Sequence, residues 1–263
     1  MSNENILVRA LRSCEAVANV SVICTSKTGT ITQNKMNVVA GTVGVHAKFV
    51  RRLEGNREWA GSEGRNCPNT KDLVDLADLN AVLPRPMKDL FNAAIAINST
   101  AAFEGVEPKS GAPVFIGNRT ESALLGFAKE LAWPNYKDTR NSADIIQIIP
   151  FSSDRKFMGC VVRLPDGSHR LYVKGASEIL ARNSTRHVVL NDSPPSAVNE
   201  VETAPIGELE EYRISRTTTL YASQTLRTIA LCYRDFPSWP PKGVRLLDID
   251  EASKCVTVPV FGD

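Results

Sequence analysis

The chain has 263 residues, of which 43% are hydrophobic and 23% are charged, as expected for a globular protein of one large or two smaller domains. Its 31 basic and 29 acidic side chains leave a net charge of +2, which argues against a nucleic-acid or membrane-surface partner. Six cysteines stand singly, without a C-x-x-C pair, so we expect reduced thiols in a cytoplasmic protein. We find neither a signal peptide nor the ~18 apolar residues that a membrane span requires.

The first 36 residues predict a helix, a strand and a polar loop. Apolar residues recur at helical spacing over 5–19, and the β-branched run 20–25 indicates a buried strand. The strand ends at Ser26-Lys27-Thr28-Gly29-Thr30, a position where open α/β sheets bind ligands. Because these elements cannot cover a sheet on both faces, we interpret 1–36 as part of an incomplete α/β domain.

The rest of the chain predicts a larger α+β domain with an antiparallel sheet. Alternating or β-branched runs predict strands over 38–45, 47–51, 145–151, 158–164, 168–173 and 227–233, with another beginning at 256. A turn over 165–167 makes one hairpin. Helical spacing predicts helices over 71–79, 86–97, 120–130 and 208–225. Polar or proline-rich stretches predict loops or turns over 53–70, 104–113, 191–206 and 237–243.

Five motifs carry a resemblance to the P-type cation ATPases. Residues 24–37 read CTSKTGTITQNKMN, which resembles the family's phosphorylation loop D-K-T-G-T-[LI]-T and the following Q/E-N-x-M hinge. Four downstream segments are similar to family motifs in the same order: GNRTESALL at 117–125, FSSDRKFM at 151–158, KGASE at 174–178 and LRTIA at 226–230. The residues within these motifs are most similar to those of calcium pumps of the plasma-membrane or vacuolar type.

The resemblance implies a fold and a function. It implies the first part of a haloacid-dehalogenase-like phosphorylation domain over 1–36, a nucleotide-binding domain of antiparallel sheet flanked by helices over 37–243, and a truncated return hinge over 244–263. The implied function is ATP binding by the cytosolic part of a calcium-transporting ATPase, on the cytosolic face of a plasma or vacuolar membrane. The implied ligands are ATP and Mg²⁺.

Seven residues are candidates for the nucleotide site. Phe151 beside Arg155 and Lys156 suits an adenine ring, because purines stack on aromatic faces and a cation can flank them. Lys156, Lys174 and Arg227 supply positive charge for a polyphosphate. Gly175 permits close backbone approach to the ligand, and the resemblance assigns to Glu121 the acceptor for the adenine amino group. The three histidines are scattered, which argues against a metal site.

Ser26 stands where the family has the phosphorylated aspartate, in a loop that also supplies Lys27, Thr28, Gly29 and Thr30. A serine hydroxyl is a weak nucleophile without a neighbouring base, and it lacks the carboxylate oxygen that helps to hold Mg²⁺. By resemblance, the backbone at Thr28 would be the remaining Mg²⁺ contact. We therefore expect no aspartyl phosphate and no ion transport, the more so because the sequence lacks the family's later T-G-D and G-D-G-x-x-N-D segments.

Three functions remain open at this point. The chain is an ATP-binding module without catalysis, an interaction or decoy module that contacts an intact pump without using ATP, or a non-functional remnant of a calcium pump gene. The sequence does not decide whether Ser26 is natural or engineered.

Overall fold

The computed structural model describes residues 12–27, 30–33, 35–60, 73–100, 102–106, 111, 113–190, 200–241, 247–250 and 255–257. The chain divides into two compact units, 1–35 and 36–263. The three-part domain assignment is finer than this division and stays a prediction. Among the described residues, none of the helices has the length and apolar character needed to cross a membrane.

The described part of unit 1–35 contains one short helix, α1 (Arg12–Ala18), which confirms the predicted helix over that part of 5–19. The predicted buried strand over 20–25 is wrong, because these residues form no strand and are exposed. A strand is stable only when its backbone pairs within a sheet, and the described part of this unit has no second strand for it to pair with. Val22 and Ile23 are therefore apolar side chains in contact with solvent.

Unit 36–263 opens with a three-stranded sheet of strands β1 (Ala40–Val43), β2 (Ala47–Val50) and β3 (Leu73–Asp75). The first two confirm the strands predicted over 38–45 and 47–51 and pair antiparallel, and β3 runs parallel to β2.

The predicted helix over 71–79 is wrong, because pairing with β2 overrides the helical spacing and helix α3 (Leu79–Val82) begins only after a 3-10 turn. Part of the predicted loop 53–70 is also helical, in α2 (Leu53–Asn56) and a 3-10 turn at Arg57–Ala60, whereas 61–70 lie outside the described residues.

A helical layer and a hairpin follow. Helices α4 (Arg85–Ala96) and α5 (Arg119–Glu130) confirm two predicted helices, and α6 (Tyr136–Asn141) adds a third. The predicted turn-rich segment 104–113 overlaps at its two ends the strands β4 (Ala102–Val106) and β5 (Pro113–Gly117), which pair as an antiparallel hairpin, and its residues 107–110 and 112 lie outside the described residues. Helix α5 begins where the Asn118 side chain accepts hydrogen bonds from the Thr120 and Glu121 backbone N–H groups.

The largest sheet has four antiparallel strands in the order β11-β8-β7-β6. Its strands are β6 (Asp144–Ile149), β7 (Phe157–Arg163), β8 (His169–Ala176) and β11 (Ile229–Phe236), which confirms the predicted hairpin and the strand at 227–233. The other elements are α7 (Ser177–Arg182), β9 (Arg186–Val188), β10 (Thr203–Pro205), α8 (Glu208–Ser223), β12 (Leu247–Asp250) and β13 (Cys255–Thr257). Helix α8 confirms the predicted helix over 208–225. Strand β10 occupies part of the predicted loop 191–206, of which 191–199 lie outside the described residues.

Apolar side chains form separate cores. Trp133 lies in the core beneath α4 and α5, where its ring packs against Phe91 and Phe127. The four-stranded sheet buries both faces, so β7 is buried at every position from Phe157 to Val162. One face packs against α7 and includes Trp239, whose Nε1 donates to Gln147 Oε1 at 2.8 Å. The other face packs against α4 through Cys160, Val162 and Tyr172.

Candidate functional site

Three of the motif segments meet at one end of the four-stranded sheet. At this end β7 begins, β8 ends and β11 begins, with Phe157 opposite Gly175 and Ile229 opposite Ala176. Residues 150–156, 174–177 and 226–228 are therefore neighbours, and we call this the loop end of the sheet. The hydroxyl of Ser177 donates to Thr228 Oγ1 at 2.7 Å, which continues the contact between two of these segments beyond the strands.

Lys174 is a buried cation on the face of β8 that packs against α4. Its Nζ donates to Glu121 Oε1 at 3.0 Å, and the two side chains are 5% and 3% exposed. The Asn118 cap sets the start of α5 and so places Glu121 in the first turn of that helix. Burial lowers the pKa of the Lys174 ammonium, and the neighbouring Glu121 carboxylate offsets this effect in part.

A second acceptor for Lys174 comes from the chain just after α4. Ser99 Oγ lies 3.2 Å from Lys174 Nζ, and the Ser99 hydroxyl donates to the Ile95 carbonyl at 2.7 Å. The neighbouring Asn98 amide donates to the Met158 and Tyr172 carbonyls at 3.5 and 3.4 Å. Sequence reasoning missed Ser99, because a serine after a helix is common and nothing in its local pattern indicates a lysine 75 residues away.

Gly175 lies where two strands come close together. A Cβ atom at this position would lie 2.5 Å from the Lys156 carbonyl oxygen and 2.5 Å from Phe157 Cβ. The Ala176 N–H donates to the same Lys156 carbonyl at 3.0 Å, and Lys156 itself has a left-handed φ of 58°. The absence of a side chain at Gly175 is thus required by the chain's own backbone, and its predicted contact with a ligand stays a prediction.

The remaining candidates for the nucleotide site lie at the surface of the loop end. Phe151 is 60% exposed, so much of its ring is accessible from solvent. Lys156 and Arg227 are exposed as well. Arg155 donates to the Pro150 carbonyl at 2.8 Å, and its guanidinium lies over the Phe157 ring at 5.7 Å. Arg155 therefore supports the loop from within while Phe151 faces solvent.

The Ser26 loop belongs to the other unit and is described in part. Ser26 and Lys27 are exposed, and Ser26 Oγ lies 3.3 Å from the hydroxyl of Thr30. A second hydroxyl is not a base, so this contact does not activate Ser26 as a nucleophile. Thr28 and Gly29 lie outside the described residues. Across the part of the chain that is described, no group of three or more His, Cys, Asp or Glu side chains could hold a metal ion.

Comparison with known proteins identifies the chain's family. Residues 86–260 match the family model for the P-type ATPase cytoplasmic domain N. The chain belongs to the P-type ATPase family. This confirms the resemblance that the motifs carried, and the antiparallel sheets with flanking helices agree with the predicted fold class.

Several calcium-transporting ATPases match this chain over most of its length. It is 49% identical over 253 residues to Calcium-transporting ATPase 2 of Cryptococcus neoformans, a match of 95% of this chain and 18% of that protein. It is 37% identical to Calcium-transporting ATPase 2 of Schizosaccharomyces pombe, over 100% of this chain and 20% of that protein. It is 34% identical to human Plasma membrane calcium-transporting ATPase 4, over 91% of this chain and 17% of that protein. The chain thus spans about a fifth of these relatives' length.

The matched P-type ATPase range, 86–260, contains all seven candidates for the nucleotide site and leaves out the Ser26 loop. Within that range the structure brings Glu121 and Lys174 into direct contact, and it gathers Phe151, Arg155, Lys156, Gly175 and Arg227 at the loop end of the sheet.

Proposed function

We propose that the chain binds ATP at the loop end of the four-stranded sheet, as the nucleotide-binding part of a calcium-transporting P-type ATPase on the cytosolic side of its membrane. The observation that carries this proposal is the buried contact between Lys174 and Glu121. Taking two charges out of water is costly, and an apolar pair of similar volume stabilises a core at least as well. Strongly buried ionisable groups beside an exposed surface are therefore candidates for function.

The chemistry of the loop end fits a nucleoside triphosphate. The exposed ring of Phe151 offers a stacking surface for the adenine, and Lys156 and Arg227 offer exposed cations to the phosphates. By resemblance, the Glu121 carboxylate that holds Lys174 is also the acceptor for the adenine amino group.

The residues described here fit Mg²⁺ poorly. Ser26 presents a neutral hydroxyl where a carboxylate would bind the cation, so we derive no step through a metal at this loop. A contact of Mg²⁺ with the Thr28 backbone stays part of the proposal by resemblance, and Mg²⁺ would otherwise arrive bound to the phosphates of ATP. Without a carboxylate at Ser26, we propose that the chain binds ATP and does not form an acyl phosphate.

Calorimetric titration of the 263-residue chain with ATP tests the proposal. We expect saturable binding that Phe151→Ala weakens by roughly 5- to 150-fold, because stacking of one base on an aromatic ring contributes about 1–3 kcal/mol. Phe103→Ala is the matched control, since Phe103 is 58% exposed and lies on β4, which is not a strand of the four-stranded sheet. Absence of saturable heat with the wild-type chain at millimolar ATP would refute ATP binding.

A second candidate function is contact with an intact pump, which the hairpin β4-β5 favours. Its strands expose the apolar side chains Phe103 and Ile116, which are cross-strand partners on one face of the hairpin, and exposed apolar clusters mark interaction surfaces. If this function holds, Phe103→Ala weakens co-purification with a full-length calcium pump while Phe151→Ala leaves it unchanged. The opposite pattern removes the candidate.

A further inference from the structure

Ser99 lies between two groups whose hydrogen-bonding roles are fixed. The Ile95 carbonyl, 2.7 Å from Ser99 Oγ, can only accept, and the Lys174 ammonium, 3.2 Å from the same oxygen, can only donate. A hydroxyl has a single proton, so Ser99 donates it to Ile95 and presents a lone pair to Lys174. Since Ser99 is fully buried, water does not compete for either position.

This lone pair matters because the ammonium is buried. Burial disfavours the charged form of Lys174, and the Arg140 guanidinium on α6 disfavours it further by repulsion. Glu121 on α5 is the ionic partner that favours the charge, and Ser99 provides a second acceptor for an ammonium with three N–H groups. A buried N–H that loses its acceptor forfeits more free energy than an exposed one, because nothing replaces the bond.

The position of Ser99 relative to Lys174 is itself constrained. The neighbouring Asn98 donates to the carbonyls of Met158 on β7 and Tyr172 on β8, which attaches the end of α4 to both strands. Met158 lies directly opposite Lys174 across the two strands. The hydroxyl of Ser99 is therefore held against the strand that carries Lys174, at a point defined by three backbone carbonyls.

We propose that Ser99 is a positioning residue of the nucleotide site, which keeps the Lys174 ammonium charged and directed toward Glu121 without touching the nucleotide itself. The proposal rests on the proposed ATP site for its functional meaning. The effect of the Ser99 hydroxyl on the protonation of Lys174 can, however, be measured in the absence of any ligand.

The test follows the proton on Lys174 and the binding of ATP in the same variants of the full 263-residue chain. Lysine labelled with ¹³C at Cε reports protonation by NMR, with the Lys174 signal assigned from its loss in Lys174→Met. In Ser99→Ala we expect the pKa of Lys174 to fall below the wild-type value and the Kd for ATP to rise about tenfold, as for loss of a hydrogen bond to a charged group. Ser99→Thr keeps the hydroxyl and restores both.

Ser184→Ala is the matched control. Ser184 makes the same bond to the carbonyl four residues earlier, at 2.8 Å after α7, and has no lysine on its oxygen. We expect it to leave the Lys174 titration and the Kd for ATP unchanged. If Ser99→Ala is unfolded, Ser99→Cys takes its place, because a thiol keeps the volume and is a poor acceptor.

The outcomes separate the two proposals. A Lys174 titration in Ser99→Ala, or in the cysteine variant, that coincides with the wild-type curve overturns the role of Ser99 and leaves it a structural residue. A wild-type chain that binds no ATP overturns the proposed function, and the titration then still decides whether Ser99 controls the charge on Lys174.

Discussion

Replacing Lys174 with methionine tests whether the buried ion pair is as costly to break as its burial implies. Methionine keeps the length of the side chain and removes the ammonium that contacts the Glu121 carboxylate, which is 3% exposed. Removal of one partner from a buried pair typically costs about 3–5 kcal/mol, because the other charge stays desolvated. Glu121→Gln removes the opposite charge and is expected at the lower end of this range, since Ser99 still accepts from Lys174.

The double variant Lys174→Met, Glu121→Gln completes a thermodynamic cycle. Since neither charge then remains buried, we expect it to be less destabilised than the sum of the single variants by at least about 2 kcal/mol. Lys129 and Glu104 provide the matched surface pair: their charged atoms are 2.8 Å apart, but the side chains are 49% and 28% exposed. We expect Lys129→Met to cost only about 0.2–1 kcal/mol.

The assay is urea unfolding followed by circular dichroism, with the free energy of unfolding obtained for each variant by linear extrapolation. The reasoning fails if Lys174→Met destabilises the chain no more than Lys129→Met does. It also fails if the two single effects at Lys174 and Glu121 simply add, because the side chains would then not interact in the folded state.

Three further predictions concern separate parts of the chain. Gly175→Ala should destabilise the chain by about 1–3 kcal/mol, because the new Cβ meets the next strand. Gly126→Ala should stabilise α5 by roughly 0.5–1 kcal/mol, because a Cβ there meets nothing within 4 Å apart from its chain neighbours and the backbone of its own helix. Equal effects in thermal unfolding would contradict the close approach at Gly175. Hydrogen bonds from the Ala77 and Leu53 backbone N–H groups hold the pKa of the Asp75 carboxyl below its usual range. The contribution of this carboxylate to stability is therefore full above about pH 4 and is lost as the pH falls through the folded-state pKa. Asp75→Asn should reduce the loss of stability at acid pH, and an unchanged dependence of stability on acid pH would contradict this prediction. Incubation with γ-labelled ATP should give no hydroxylamine-labile phosphoenzyme, since Ser26 has no carboxylate, and the appearance of such a label would refute this.

Local sequence patterns predicted those helices and strands that are stabilised by residues close to them in sequence. Helix α5 has an asparagine cap and a regular apolar stripe, and the hairpin of β7 and β8 has alternating residues and a tight turn, so both were predictable within a few residues. The predicted strand over 20–25 and helix over 71–79 failed for the opposite reason. Whether such a run becomes strand, helix or coil depends on a partner strand. Strand β2 pairs with 73–75, whereas none of the described strands pairs with 20–25, and both facts are tertiary information.

In the candidate site, too, local motifs identified residues whereas their contacts depend on tertiary packing. Glu121 and Lys174 were found through the motifs that contain them, but their burial and direct contact follow only from the packing of α5 on the sheet. Phe151 was predictable as an aromatic residue in a motif. The contacts by which Arg155 supports the loop, to the Pro150 carbonyl and the Phe157 ring, were not predictable. Ser99 carried no signal at all, because its meaning comes from a strand that lies far away in sequence.

The placement of the tryptophans gives two of the three cores an optical reporter each. Trp133 lies in the core beneath α4 and α5, and Trp239 lies on the α7 face of the four-stranded sheet with its indole bonded to Gln147. The third tryptophan, Trp59, has a side chain outside the described residues, and replacing it with phenylalanine leaves two emitters. Replacing Trp133 and Trp239 in turn with phenylalanine would therefore distinguish fluorescence changes of the helical layer from those of the sheet that carries the loop end.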